Sequence, residues 1–341
     1  MKFDLPGKLP DRTLDIDAAV NQIARNQLPS GEIPWGRDNK TDPWDHVEAA
    51  MGLNIGGYQT AAQRAYEWLA DRQNADGSWF AAYRQGVPLD KTRDANMSSY
   101  IAVGVWHHYL ITGDRSFLVR MWPVVQAAIA FALTLQSPHG EIFWAISPAG
   151  KTDPMALLTG SSSMCMSIRC ALAIARRLGY DKKNWENGLV GLENAIATKP
   201  HRFNMTKSRY SMDWYYPVLC GAITGQPARN RIDQYWKRFV IDNQGVRCVY
   251  DQPWITIAET SELSLALSAV GDPVLSESVF NWIGDKTFAD GSYLAGFTYP
   301  DMTVWPEDKL TWTNAAVLMA ADALYHLTPA SRLFSHKAWR A

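Results

Sequence analysis

The chain has 341 residues and a formal charge of −1, from 33 basic and 34 acidic side chains spread without blocks. That balance excludes the basic patch that neutralising nucleic-acid phosphates requires. No stretch approaches the ~18–20 uninterrupted apolar residues of a membrane span, and the opening MKFDLPGKLPDRTLDID carries acids and prolines where a signal peptide has an apolar run.

Taken in order, the chain alternates two kinds of predicted helix. The first kind mixes charges into an apolar stripe: TLDIDAAVNQIARNQ, YQTAAQRAYEWLADRQ, DRSFLVRMWPVVQAAIAFALTLQ, DKKNWENGLVGLENAIATK, ARNRIDQYWKRFVIDN and DPVLSESVFNWIGDK. The second is apolar almost all round, the mark of a buried helix: WDHVEAAMGLNIGG, DANMSSYIAVGVWHHYL, GSSSMCMSIRCALAIARRL, DWYYPVLCGAIT, ETSELSLALSAV and TWTNAAVLMAADALYHL. Between a first and a second helix comes a glycine turn leading into an aromatic, as in NQLPSGEIPW, RQNADGSWF, LQSPHGEIFW, IDNQGVRCVY and KTFADGSYL. The gap between Gly140 and Gly245 is about twice the others, which places a degenerate sixth unit near His201-Arg202-Phe203. Self-similar units of this length mean a stacked or closed repeat. Six outer-inner pairs predict an all-α fold, an (α/α)6 toroid formed as one domain over residues 1–341, with short β-turn strands in the loops. Its inner helices run parallel, so their N-termini and the long preceding loops crowd one end.

Any site belongs at that end. The inner-helix starts offer Asp45-His46-Val47-Glu48, Arg93-Asp94, Ser161-Ser162-Ser163, Asp213-Trp214-Tyr215-Tyr216, Glu259-Thr260-Ser261-Glu262 and Glu307-Asp308 with Thr311. Glycosidic bond cleavage needs a protonated acid for the leaving oxygen and an ionised partner. A helix dipole favours the charged form, which makes Asp45, Asp94 and Asp213 candidates for base or nucleophile. Glu259 follows Trp254, Ile255 and Ile257, and Glu307 follows Trp305-Pro306; these apolar settings suit an acid. Asp at a helix start is equally an ordinary cap, and Asp45-x-x-Glu48 has the spacing of a capping box.

Candidate substrate-binding residues are Trp44, His46, Glu48, Trp79, Tyr83, Arg93, Trp214, Tyr215, Trp254, Glu262, Trp305 and Trp312. Aromatic faces beside carboxylates and amides form the usual sugar subsite, although such rings also pack between repeats. His107-His108 are adjacent rather than at i, i+4, so no metal site is expected, and no motif calls for a cofactor. The four cysteines, Cys165, Cys170, Cys220 and Cys248, lack Cys-x-x-Cys spacing. Free thiols in a reducing cytoplasm are the expectation.

The run DANMSSYIAVGVWHHYLITGDRSFLVRMWPVVQAAIAFAL resembles the six-hairpin glycosidase superfamily through Thr112-Gly113-Asp114, Phe117-Leu118 and Trp122-Pro123. The resemblance implies an (α/α)6 barrel with one acid and one base carboxylate at the loop end, acting on a small-molecule or oligosaccharide substrate. A second likeness competes: AYEWLADRQNADGSW and FNWIGDKTFADGSY are similar to the Gln-Trp repeats of squalene-cyclase and prenyltransferase toroids. The Asp-x-Asp-Asp proton donor of the cyclases is absent, with Asp15-Ile16-Asp17-Ala18 the nearest approach. The expectation is a glycoside hydrolase. A terpenoid- or prenyl-handling enzyme, a sugar epimerase or lyase, and a non-catalytic binding scaffold stand as alternatives.

Overall fold

The computed structural model describes residues 2–3 and 14–339. The opening segment expected to lack a signal sequence lies mostly outside them. In chain order the helices are α1 (Ile16–Asn26), α2 (Pro43–Ile55), α3 (Gln59–Ala70), α4 (Ala95–Ser99), α5 (Ile101–Thr112), α6 (Arg115–Thr134) and α7 (Leu158–Leu178). Then follow α8 (Lys183–Thr198), α9 (Ser211–Leu219), α10 (Gly225–Phe239), α11 (Ile257–Val270), α12 (Pro273–Asn281) and α13 (Thr311–Tyr325). Helices α4 and α5 are one inner rod interrupted at Tyr100.

The inner helices pack in a closed ring, α2 on α5, α5 on α7, α7 on α9, α9 on α11, α11 on α13, and α13 back on α2. The outer helices α1, α3, α6, α8, α10 and α12 lie against them, α1 covering the seam between α2 and α13. This is the (α/α)6 toroid expected from the alternation. Inner-to-outer connections are brief (56–58, 113–114, 179–182, 220–224, 271–272), whereas outer-to-inner ones are long (27–42, 71–94, 135–157, 199–210, 240–256, 282–310). The long connections therefore gather at the N-terminal ends of the inner helices.

The repeated glycine turn has a physical reason. Gln27 donates from its amide to the Gly31 carbonyl at 3.1 Å and to Ala61 on α3 at 2.9 Å. Gln73 does the same to Gly77 and to Val124 on α6, both at 2.9 Å, and Gln136 to Gly140 at 2.9 Å and Gly188 on α8 at 2.8 Å. Each staple ties a turn to the next outer helix and satisfies two carbonyls. The glycine is obligatory, because a Cβ at Gly77 would stand 2.2 Å from the Ala127 carbonyl oxygen at a φ of +90°. The Thr112-Gly113-Asp114 turn is likewise explained: Gly113 takes φ +66° to end α5, and Asp114 caps α6 by accepting from Ser116 and Phe117.

Boundaries differ from the sequence reading where turn chemistry intervenes. Inner helix α9 stops at Leu219 rather than running on to Thr224, with a turn at Gly221 (φ +65°), and α12 stops at Asn281 rather than reaching Lys286. Two helices, α6 and α7, are long and apolar enough by composition to cross a membrane, but each is a ring member, with half and nearly three quarters of its apolar window buried in the barrel.

Candidate active site

Two inner helices, α2 and α11, carry the carboxylates that meet at the loop end. On α2 the cap is Asp42, followed by Pro43 at the first helical position, a pairing that fixes a helix start. Asp42 accepts from the Asp45 backbone at 2.9 Å and from the Trp35 indole at 2.6 Å. It is 2 % exposed. Burial, then the charges of Asp42 and Glu48, push the Asp45 carboxyl well above the usual carboxylate range.

One turn further along α2, Glu48 accepts from the Trp44 indole at 2.8 Å and from the Tyr100 hydroxyl at 3.2 Å. Burial pushes it up to about 7 against those two donors. Facing it from α11, Glu262 accepts from the hydroxyls of Tyr215 and Tyr216, the latter at 2.8 Å. Burial first, then the charges of Glu48 and Glu259, raise Glu262 well above its ordinary value. Glu259 stands one turn earlier on α11, 6 % exposed, with Oε2 unpartnered and a side-chain hydrogen bond to the Cys248 thiol. Spacings of three residues put Asp45 with Glu48, and Glu259 with Glu262, on one face of their helices.

A cavity of about 220 Å³ opens beside this cluster, bounded by Trp44, Asp94, Trp144 and Asp213 among others. Asp94 caps α4 by accepting from the Met97 backbone at 2.9 Å, and burial still pushes it up to about 6. Asp213 accepts from the Thr159 hydroxyl at 2.6 Å and its backbone at 3.2 Å; burial raises it as well.

No family model matches the chain. It is 49 % identical over 312 residues to the MMP endo-(1,4)-3-O-methyl-alpha-D-mannosidase of Mycolicibacterium hassiacum, an alignment covering 92 % of this chain and 86 % of that protein. The chain belongs to the family of that mannosidase. It is a glycoside hydrolase with the six-hairpin barrel. Among solved structures, a mannosylglycerate hydrolase from Thermus thermophilus in complex with glucose superposes with a TM-score of 0.69 at 13 % identity, over 89 % of this chain and 98 % of that one. A D-mannose isomerase superposes with a TM-score of 0.66, also at 13 % identity, over 92 % and 96 % of the two chains. Both likenesses are of fold.

The structure sorts the residues singled out from the sequence of this hydrolase. It brings Asp45, Glu48, Trp44, Tyr215, Glu259 and Glu262 into one cluster and sets Asp94 and Asp213 on the adjoining cavity. Glu307 is exposed and lines a separate polar cleft with Arg37 and Lys309. Trp79 and Tyr83 do not reach the mouth: they are 1 % and 2 % exposed, the Trp79 indole donates to the Leu69 carbonyl at 2.8 Å, and Tyr83 packs edge-on to Trp68. Trp214 stacks on Phe239 and donates to the Arg231 carbonyl, which is packing between repeats. His46 is buried with its nitrogens against Ile33 and Ala65, and burial takes it down to about 4. Arg93 is paired with Asp76. Trp254 donates to the Trp305 carbonyl at 2.7 Å with the two rings edge to face, and Trp312 meets Trp35 at 6.1 Å.

Two expectations are overturned. The cap of α2 is Asp42, so Asp45-x-x-Glu48 is no capping box. The dipole was expected to hold Asp45, Asp94 and Asp213 ionised, yet burial dominates and raises all three. Sequence reasoning missed Asp42 and Tyr100, and noted Tyr216 at the start of its helix without giving it a role. Asp42-Pro43 was the available signal for the first; Tyr100 sits inside an apolar helix, where nothing local marks it.

Proposed function

We propose that this hydrolase is an endo-acting α-mannosidase that cuts (1→4)-linked chains of 3-O-methylated mannose. The reading is carried by the 49 % identity, over nearly the full chain, to a protein bearing that activity in its name. Asp45 is assigned as the general acid: burial and the charges of Asp42 and Glu48 favour its protonated form, and the proton passes to the leaving glycosidic oxygen as the C–O bond breaks, its electron pair going with the oxygen. Glu259 is assigned as the partner, acting on the anomeric carbon or on the water that attacks it. Its support is the unpartnered Oε2 and its place one turn above Glu262, matching that of Asp45 above Glu48. These roles reverse the order expected from the sequence. Glu48 and Glu262, each bound by two aromatic donors, hold the lower part of the site and position the sugar through the same network.

We further take the whole chain as one catalytic unit, since α13 returns to α2, and place it in the cytoplasm on the strength of its four free thiols, three of them buried.

The test is incubation with a (1→4)-linked 3-O-methyl-α-mannose oligosaccharide of defined length, with products weighed by mass spectrometry. Endo cleavage gives internal fragments of several sizes from the first minutes. Release of single sugars only, or hydrolysis of other glycosides and not this one, overturns the reading.

A further inference from the structure

The cavity beside the carboxylates has an unusual lining for a sugar site. Its walls are largely carbon and sulfur, from Met97, Ile142, Leu157, Met164 and Met212. Desolvating a fully hydroxylated ring against such walls removes its water hydrogen bonds and returns few. Three lining residues nevertheless carry buried polar atoms with no hydrogen-bond partner in the protein: the Asn96 carbonyl oxygen, the Trp144 indole N–H and the Ser161 hydroxyl. Buried polar atoms are ordinarily paired, so three around one cavity point to a ligand that supplies oxygens of its own. The indole is a donor only, and an ether oxygen is an acceptor only.

We infer that this cavity is the subsite that reads methylation, seating one mannosyl ring with its O-methyl group against Met97, Leu157 and Met212, its oxygens accepting from the Trp144 indole and the Ser161 hydroxyl and a free sugar hydroxyl donating to the Asn96 side-chain carbonyl. The inference rests on the mannosidase reading of the same site and names the residues that set its specificity. Trp44 joins the two regions, lining the cavity while its indole donates to Glu48, so a ring seated here lies next to the bond to be cut. Asp94 and Asp213 flank it as acceptors for free hydroxyls. A single methyl group filling an apolar pocket discriminates by about 10-fold or somewhat more. Unmethylated mannose chains lose that contact and leave the walls wet.

The walls chosen for substitution are half-buried, and Leu157 occupies a cap position with no side-chain hydrogen bond, where Asn is well tolerated. The primary measurement is kcat/KM on methylated against unmethylated (1→4)-α-mannose oligosaccharides of equal length. The wild type is expected to prefer the methylated chain by about 10-fold or more, and Met212→Gln and Leu157→Asn each to bring the ratio near one. An unchanged ratio in both variants overturns the inference. A second measurement needs no catalysis: with ¹³C-methyl-labelled methionine, methyl 3-O-methyl-α-mannoside should shift the Met97, Met164 and Met212 resonances more strongly than methyl α-mannoside. Shifts confined to other methionines overturn the inference even if hydrolysis is confirmed. Selective shifts at these three with no hydrolysis of either chain sustain it while the proposed reaction fails.

Discussion

Glu48 of α2 and Glu262 of α11 face each other closely enough that, after burial itself, the Glu48 charge is the largest influence raising the Glu262 carboxyl. Between them four aromatic donors, Trp44, Tyr100, Tyr215 and Tyr216, are pointed at carboxyl oxygens. Such a pair makes stability depend on pH. A carboxyl whose folded pKa lies above its unfolded value binds more protons in the native state, so its contribution is complete below the unfolded value and is lost as pH rises through the folded one. For Glu48 that window runs from its ordinary value to about 7, and Asp94 and Asp322, each at about 6, add to it. The melting temperature should fall between pH 5 and pH 8. Glu48→Gln should flatten that fall, removing on the order of 3 kcal/mol of the pH-dependent difference. Parallel Tm–pH curves for the two proteins would show that Glu48 is not the titrating group.

The staple at Gln73 predicts a change confined to stability. Gln73→Leu leaves the Gly77 and Val124 carbonyls without their shared donor, at a cost of about 1–3 kcal/mol. Gly77→Ala should cost more, since the Cβ meets the Ala127 carbonyl and the backbone has φ +90°. Urea midpoints measure both. Activity below the transition should stay at the wild-type level, because the turn touches none of the carboxylates; loss of activity with an unchanged midpoint would place the turn in the site.

Legibility followed the physics of each feature. The alternation of striped and uniformly apolar helices is a local pattern, and it yielded the toroid and the end at which the long connections and the carboxylates gather. Glycine turns were visible too, because their backbone conformation needs glycine itself. What stayed hidden was set by distance along the chain. Trp79 and Asp94 share one connection and look alike in sequence, yet Trp79 turns inward to Leu69 while Asp94 borders the cavity. Charge states were misjudged for the same reason: the dipole is written into the helix start, whereas the burial that outweighs it comes from other repeats. Tyr100 meets Glu48 across 52 positions and Tyr215 meets Glu262 across 47.

Trp305 is the large aromatic left most open at the loop end near α11, with 57 % of its surface exposed and its ring held edge-on by Trp254 at 5.1 Å. An exposed, oriented ring there is expected to stack on the outlying part of a sugar chain. Trp305→Ala should raise KM for long oligosaccharides by roughly 2- to 10-fold, the equivalent of one aromatic contact, with little change in kcat. The shortest cleavable substrate should be indifferent to it. An equal loss on short and long substrates would mean that the ring supports the strand of Trp254 rather than the ligand.

Asp45 and Glu259 carry the sharpest prediction. Asp45→Asn removes a carboxyl that burial and two like charges already disfavour, so the variant should melt no lower than the wild type, and the Asp42 carboxyl gains a neutral neighbour. Hydrolysis should drop by about 10²–10⁴-fold, the range for loss of a general acid. Glu259→Gln should lose activity to at least the same degree while keeping its fold, because Oε2 has no protein partner to forfeit. The two differ in rescue. A substrate with a good leaving group, such as a dinitrophenyl mannoside, needs no proton on its departing oxygen, so it should restore much of the Asp45→Asn rate and none of the Glu259→Gln rate. Rescue of the Glu259 variant alone would exchange the two roles, and rescue of neither would move the acid to Asp94 or Asp213.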